Sequence, residues 1–209
     1  MTPRPATSLE LIRDLLQQMV AGSVFTRRDF QGLVANGSLG RILTQLEDDG
    51  VIRRLDRGLF FLPRHNPRLG LDIPPSPETI AHAIARKRGW TIIPHGAWAA
   101  NRLGLDMQVP AQFVCLSDGP SETLTVAGHH LVFKHARPKD LVADDPEVST
   151  LIQALRHVQH DGLDDAIHNL SNLLPQEVCE RLLQRTARTS TWLHAAALKL
   201  MAAQRSNHD

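Results

Sequence analysis

Between Phe25 and Pro63 the chain runs FTRRDFQGLVANGSLGRILTQLEDDGVIRRLDRGLFFLP, and no other stretch restricts the possible folds as much. Start, turn, helix and hairpin signals follow one another within it. Thr26 and Asp29 have capping-box spacing, and Phe25 and Phe30 occupy the two positions of a hydrophobic staple. Together they predict a helix from Thr26. Asn36-Gly37 predicts a turn. Ser38 is then placed to cap a further helix, with Leu39, Ile42, Leu43 and Leu46 on one face. Gly50 suits its C′ position. Val51–Leu55 and Leu59–Leu62 are rich in β-formers and flank Asp56-Arg57-Gly58. A short loop ending in Gly predicts a type I turn followed by a bulge. Upstream, Thr7 and Glu10 form another capping-box pair, and Leu9, Ile12, Leu15, Leu16 and Met19 recur at helical period. Helix, helix, helix, hairpin is the order of a winged helix-turn-helix.

Charge patterning points the same way. Residues 53–68 hold five Arg against one Asp, and residues 1–70 contain no Lys. Arg pairs bidentately with phosphate and with guanine, whereas Lys acts as a point charge. The run falls where a wing lies along a duplex backbone. The expected DNA-binding set is Arg27, Arg28, Ser38, Gly40, Arg41, Thr44, Gln45, Arg53, Arg54 and Arg57. A winged helix used only for protein contacts is the competing reading. In its favour, Arg41 is the only cation of the third helix, which ends in Glu47-Asp48-Asp49. A recognition helix addresses bases with its N-terminal residues, so acids at its far end need not face phosphate.

The whole chain of 209 residues has a net charge of only +1, which by itself indicates no nucleic-acid partner. The division is more informative: residues 1–70 carry ten Arg against seven acids, and the remainder thirteen cations against fifteen acids. No apolar run approaches membrane-spanning length, and MTPRPATS lacks a signal-peptide apolar region. Cys115 and Cys179 both sit in apolar contexts, which suits buried reduced thiols. A cytoplasmic location is expected.

Residues 63–77 contain five Pro and predict a stiff extended connector. The expected division is a winged helix-turn-helix over 1–66, a linker over 67–77 and a second domain over 78–209. In the second domain Ser76-Pro77 opens a helix to about Arg88. Short strands are expected at 90–93, 112–116, 123–126 and 130–135, with a short helix over 97–103. Four helices follow Pro146, over 147–159, 163–173, 176–186 and 192–204. The fold class is therefore α+β: the winged helix, then a small sheet and a C-terminal helical bundle.

In FTRRDF, RILTQLEDDGVIRRLDRGLFFLPR, NPRLG, SPETIAHAIARK, PHGAWAANRLGL, QVPAQFVCLSDGPSETLTVAGHHLVFKH and LIQALRHV the chain resembles the AbiEi-type antitoxins of type IV toxin–antitoxin systems. More narrowly, it is similar to a bacterial branch linked to them. The winged-helix half is moderately specific; Pro94–Leu105, Val109-Pro110 and the Ser117-Asp118-Gly119 turn are more diagnostic. Phe60 stands where that family's wing often has Tyr, which removes a hydroxyl but not the packing. The resemblance implies a repressor that binds double-stranded operator DNA upstream of its own operon. It also implies that the second domain opposes a nucleotidyltransferase-type toxin encoded nearby. The alternative is a winged-helix transcription factor whose second domain senses a ligand or dimerises, without a toxin.

Other chemistry is weakly supported. His129, His130 and His135 alternate along a strand and do not converge. His157 and His160 share a helical face without a third ligand at a standard spacing. Asp118, Glu122 and Lys134 could be imagined as a nuclease-like set, but Ser117-Asp118-Gly119-Pro120 is ordinary turn chemistry. No Gly-rich phosphate loop or nucleophile elbow occurs. Neither a catalytic role nor a metal or other cofactor is expected. The small residues Gly96, Ala97, Ala99 and Ala100 suit close helix packing, with Trp98 and Leu103 in the core; a toxin-docking role is the weaker alternative. Trp192, Leu193, Leu198, Leu200 and Met201 suit either closure of the bundle or an interface.

Overall fold

Thr7 caps helix α1, Ser8–Gln18, by accepting from the Glu10 amide, while Glu10 accepts from the Thr7 amide. The capping box expected from the sequence is thus formed. The computed structural model describes residues 7–137, 141, 144–159, 162–187 and 190–208. Strand β1, Val24–Thr26, follows, and the Thr26/Asp29 box opens a 3-10 turn over Arg27–Phe30. The sequence predicts a helix here, but only this one turn forms. Gly32, at φ +82°, diverts the chain immediately afterwards.

Helix α2, Asn36–Asp48, begins three residues earlier than expected, with Ala35 instead of Ser38 at its N-cap. Asn36 and Gly37 belong to its first turn, a segment whose backbone angles resemble those of an isolated turn. Ser38 therefore lies inside the helix, and its hydroxyl donates back to the Ala35 carbonyl at 2.8 Å. Strands β2, Arg53–Asp56, and β3, Leu59–Phe61, form the wing, and the sheet order is β1-β3-β2. The β2–β3 register shifts between Arg54 and Asp56, and Gly58 has φ +71°. This is the irregular hairpin that Asp-Arg-Gly predicts.

Ile12, Leu16, Phe25, Phe30, Leu43 and Phe60 are among the residues of the core beneath these elements. The Phe25 ring meets Phe30 edge-on at 5.4 Å and stacks on Phe60 at 6.1 Å. Each fully buried Phe contributes about 1.5–3 kcal/mol relative to exposure. The staple therefore fixes the 3-10 turn against the wing. This helix-and-hairpin arrangement is compatible with a winged helix.

Residues 64–73 are not a plain extended connector. Strands β4, Arg64–Asn66, and β5, Leu71–Ile73, pair antiparallel. The Asn66 side chain accepts from the Arg68 and Leu69 amides, and Gly70 turns at φ +63°. Helix α3, Pro77–Arg88, comes next, capped by Ser76 and ended by Gly89 at φ +75°.

The chain divides into two compact units. One comprises Met1–Trp90 with Thr125–His130, the other Thr91–Leu124 with Leu131–Asp209. Helix α3 thus belongs to the unit of the winged helix, and the division falls after it instead of within the Pro-rich stretch. Strands β6, Ile92–Pro94, β7, Gln112–Ser117, β8, Glu122–Val126, and β9, His129–His135, form a sheet of order β6-β7-β9-β8.

Helices α4, Ala97–Arg102, α5, Pro146–Val158, α6, Leu163–Leu173, α7, Gln176–Thr186, and α8, Thr191–His208, belong to the second unit. Ala99 and Ala100 meet Ala154, so the small residues do allow close helix packing. Leu193, Leu200 and Met201 enter the bundle core with Leu151, Leu170 and Leu182, and Trp192 packs against it; Leu198 stays exposed. The fold is α+β. Among the described residues, no helix is long and apolar enough to cross a membrane.

Candidate nucleic-acid interface

A groove of about 550 Å³ runs between α2 and the wing. Arg27, Gly40, Thr44, Arg54, Arg57 and Lys87 are among the residues that line it. Four elements supply these side chains: the 3-10 turn, α2, the wing and α3. Arg27 opens the 3-10 turn that follows β1, and its guanidinium lies across α2 at Gly40. A Cβ built on Gly40 would come within 2.5 Å of Arg27 Nη2. Glycine at that point lets a cation cross the helix surface.

Thr44 lies one turn further along, and its hydroxyl donates to the Gly40 carbonyl at 3.1 Å. Arg41 and Gln45 are exposed on α2 without lining the groove. Ser38 is half-buried near the start of the helix. Seven of the ten residues expected to contact DNA therefore lie on α2 or in the groove beside it with no ion pair to a carboxylate among the described residues: Arg27, Ser38, Gly40, Arg41, Thr44, Gln45 and Arg57.

The wing cations differ among themselves. Arg54 reaches back to Glu47 through Nε at 3.0 Å and Nη2 at 2.6 Å, with its guanidinium 4.7 Å above the Phe60 ring. These hydrogen bonds hold the Glu47 carboxyl below its ordinary range and raise the Arg54 guanidinium. Its charge is locally balanced. Arg53 pairs with Asp72 of β5 at 2.6 Å, a contact between segments that sequence spacing does not reveal. Arg57, at the tip, has no carboxylate within ion-pairing distance among the described residues. Arg28 does not line the groove, and its Nη1 donates to the Lys87 carbonyl at 3.2 Å.

Lys87 is the groove residue the sequence reading missed. The sequence division places it in the second domain, across the expected linker. The signal lies in Arg86-Lys87-Arg88, which concentrates three cations in the last turn of α3.

A model described as a family of unknown function, DUF6088, matches residues 11–182. The chain belongs to that family. Among curated proteins, none matches it. In this DUF6088 protein the match covers most of the first unit and runs on through the sheet to α7.

The remaining candidates stay apart. Burial pushes the Cys115 thiol up to about 12 and Cys179 to about 11, as suits protonated core thiols. Thr125 and His130 share a hydrogen bond, whereas His135 Nδ1 lies 2.9 Å from the Gly119 carbonyl. His157 pairs with Asp106 at 3.4 Å; His160 lies outside the described residues. Asp118 accepts from the Thr91 amide at 2.8 Å, a long-range contact, while the local turn contact is the Gly119 amide donating to Ser117 Oγ at 3.0 Å. Trp98 is half-buried, meets Phe113 edge-on at 5.0 Å and donates to the Gln112 carbonyl.

Proposed function

We propose that this DUF6088 protein is a transcriptional repressor that binds double-stranded operator DNA through its first unit. We further propose that it serves as the antitoxin of a type IV toxin–antitoxin operon, opposing a nucleotidyltransferase-type toxin encoded nearby. The observation that carries the DNA-binding reading is the groove between α2 and the wing, where Arg27, Arg57 and Lys87 gather without carboxylate partners among the described residues. A helix that offers Arg41, Thr44 and Gln45 beside a cationic hairpin suits base edges next to a phosphate backbone. Backbone contacts set register and orientation; the helix side chains read sequence.

The antitoxin half rests on the resemblance of the second unit, chiefly Pro94–Leu105 and the turn at Ser117-Asp118-Gly119. Two measurements test the reading with the intact chain. A reporter driven by the DNA upstream of its own gene is expected to be repressed. Growth arrested by the neighbouring nucleotidyltransferase is expected to recover on co-expression. Repression without rescue from an active toxin would leave a regulator with no antitoxin role. Full reporter activity in the presence of the protein would overturn the repressor role.

A further inference from the structure

The last turn of α3 reaches both halves of the proposed DNA surface through neighbouring residues. Successive helical residues point about 100° apart, so they can engage different partners. Arg86 faces the 3-10 turn. Its Nε donates to Asp29 at 3.0 Å and its Nη2 to the Val24 carbonyl at 2.8 Å. Asp29 is already ordered by accepting from the Thr26 amide at 2.7 Å. Lys87 faces the wing, and its Nζ donates to the Arg57 carbonyl at 2.9 Å. Arg28 closes the arrangement by donating to the Lys87 carbonyl, one of the acceptors that a helix C-terminus leaves without an internal partner.

We propose that Lys87 contacts a DNA phosphate from within the groove, making the end of α3 part of the nucleic-acid interface. The inference rests on the DNA-binding reading above and extends it to a residue beyond the winged helix. The Lys87 ammonium lines the groove, is exposed and has no carboxylate partner among the described residues. One N–H is engaged by the wing carbonyl. An ammonium has three, so two remain for a phosphate oxygen. The carbonyl contact anchors the side chain before DNA arrives. It places the charge beside the loop residues Arg57 and Gly58; a Cβ on Gly58 would lie 3.4 Å from Lys87 Nζ. Phosphate is the ligand chemistry that fits, because a point charge with free donors suits a backbone oxygen and carries no base preference.

A purely structural tether is the competing account, and salt dependence separates the two. The intact protein, Lys87→Gln and Lys87→Arg are titrated against a random-sequence duplex over a range of salt, after thermal melting shows that all three fold alike. Loss of one phosphate contact makes the slope of log affinity against log salt shallower by about 0.9. That change, with several-fold weaker binding, is expected for Lys87→Gln; Lys87→Arg is expected to keep the parent slope. A weaker Lys87→Gln with an unchanged slope would make Lys87 a tether only and overturn the proposal. An unaltered affinity would overturn it too. In a second measurement on the unmodified chain, duplex DNA is expected to shield Lys87 from acylation by an amine-reactive reagent. Equal labelling with and without bound DNA would contradict it. If the parent chain binds no duplex at all, the DNA-binding reading itself fails, an outcome distinct from these.

Discussion

The Arg27 guanidinium lies over Gly40, so close that a Cβ at position 40 would stand 2.5 Å from its Nη2. Gly within a helix is ordinarily unfavourable by about 0.5–1 kcal/mol relative to Ala. In α2 it leaves room for a cation from another element. Gly40→Ala is therefore expected to raise stability by about 0.5–1 kcal/mol, because the displaced atoms are the free end of a flexible side chain. The same change is expected to weaken DNA binding by moving Arg27. Combining it with Arg27→Ala should add little further loss, since both act on one contact. Chemical denaturation and anisotropy check the pair. Gly40→Ala with parental affinity would mean that the Arg27 position is irrelevant to DNA.

Base reading and backbone contact are expected to separate by mutation. Arg41 is exposed on α2, whereas Arg57 sits at the wing tip. Arg41→Ala is expected to cost about 1–3 kcal/mol on operator DNA and to erode the preference over random sequence. Arg57→Ala is expected to weaken both DNAs alike. Competition binding with the two duplexes distinguishes the patterns, and their reversal would mean that α2 is docked differently.

The second unit carries its own pH dependence. Burial lowers the His95 pKa from its ordinary 6.5, and the charges of Lys134, Arg156 and His157 add to that, while the Gln153 hydrogen bond opposes it. A His held below its unfolded value binds fewer protons in the native state. Its contribution is then fully present above about 6.5 and is lost as pH falls through the lower folded value. Melting temperature is expected to fall on acidification through this window, and less steeply in His95→Gln. Identical pH profiles for the two proteins would exclude His95 as the source.

Much of the first unit was legible because its determinants are local. Capping boxes at Thr7 and Thr26, the Phe25–Phe30 staple and Gly58 each act within a few residues. The misplaced start of α2 has the same origin: Asn36-Gly37 suits both a turn and a first helical turn. What sequence spacing could not supply was long-range pairing. Arg53 with Asp72, Arg86 with Asp29 and Lys87 with the Arg57 carbonyl join segments far apart in the chain. These contacts changed the candidate interface most. They tie up Arg53, add Lys87 and bring α3 into the first unit. Arg54 is a subtler case, since Glu47 is only seven residues away but on another element.

The account's central claim is most directly tested by the salt dependence of duplex binding by the intact chain. Arg27, Arg57 and Lys87 are the groove cations left for phosphate once Arg54 is assigned to Glu47, with Arg53 held by Asp72 and Arg41 left to the bases. With about 0.9 counterions released per neutralised phosphate, the slope of log affinity against log salt is expected to lie near −3 per protomer. A slope indistinguishable from zero, or no binding to duplex DNA at low salt, would contradict the claim.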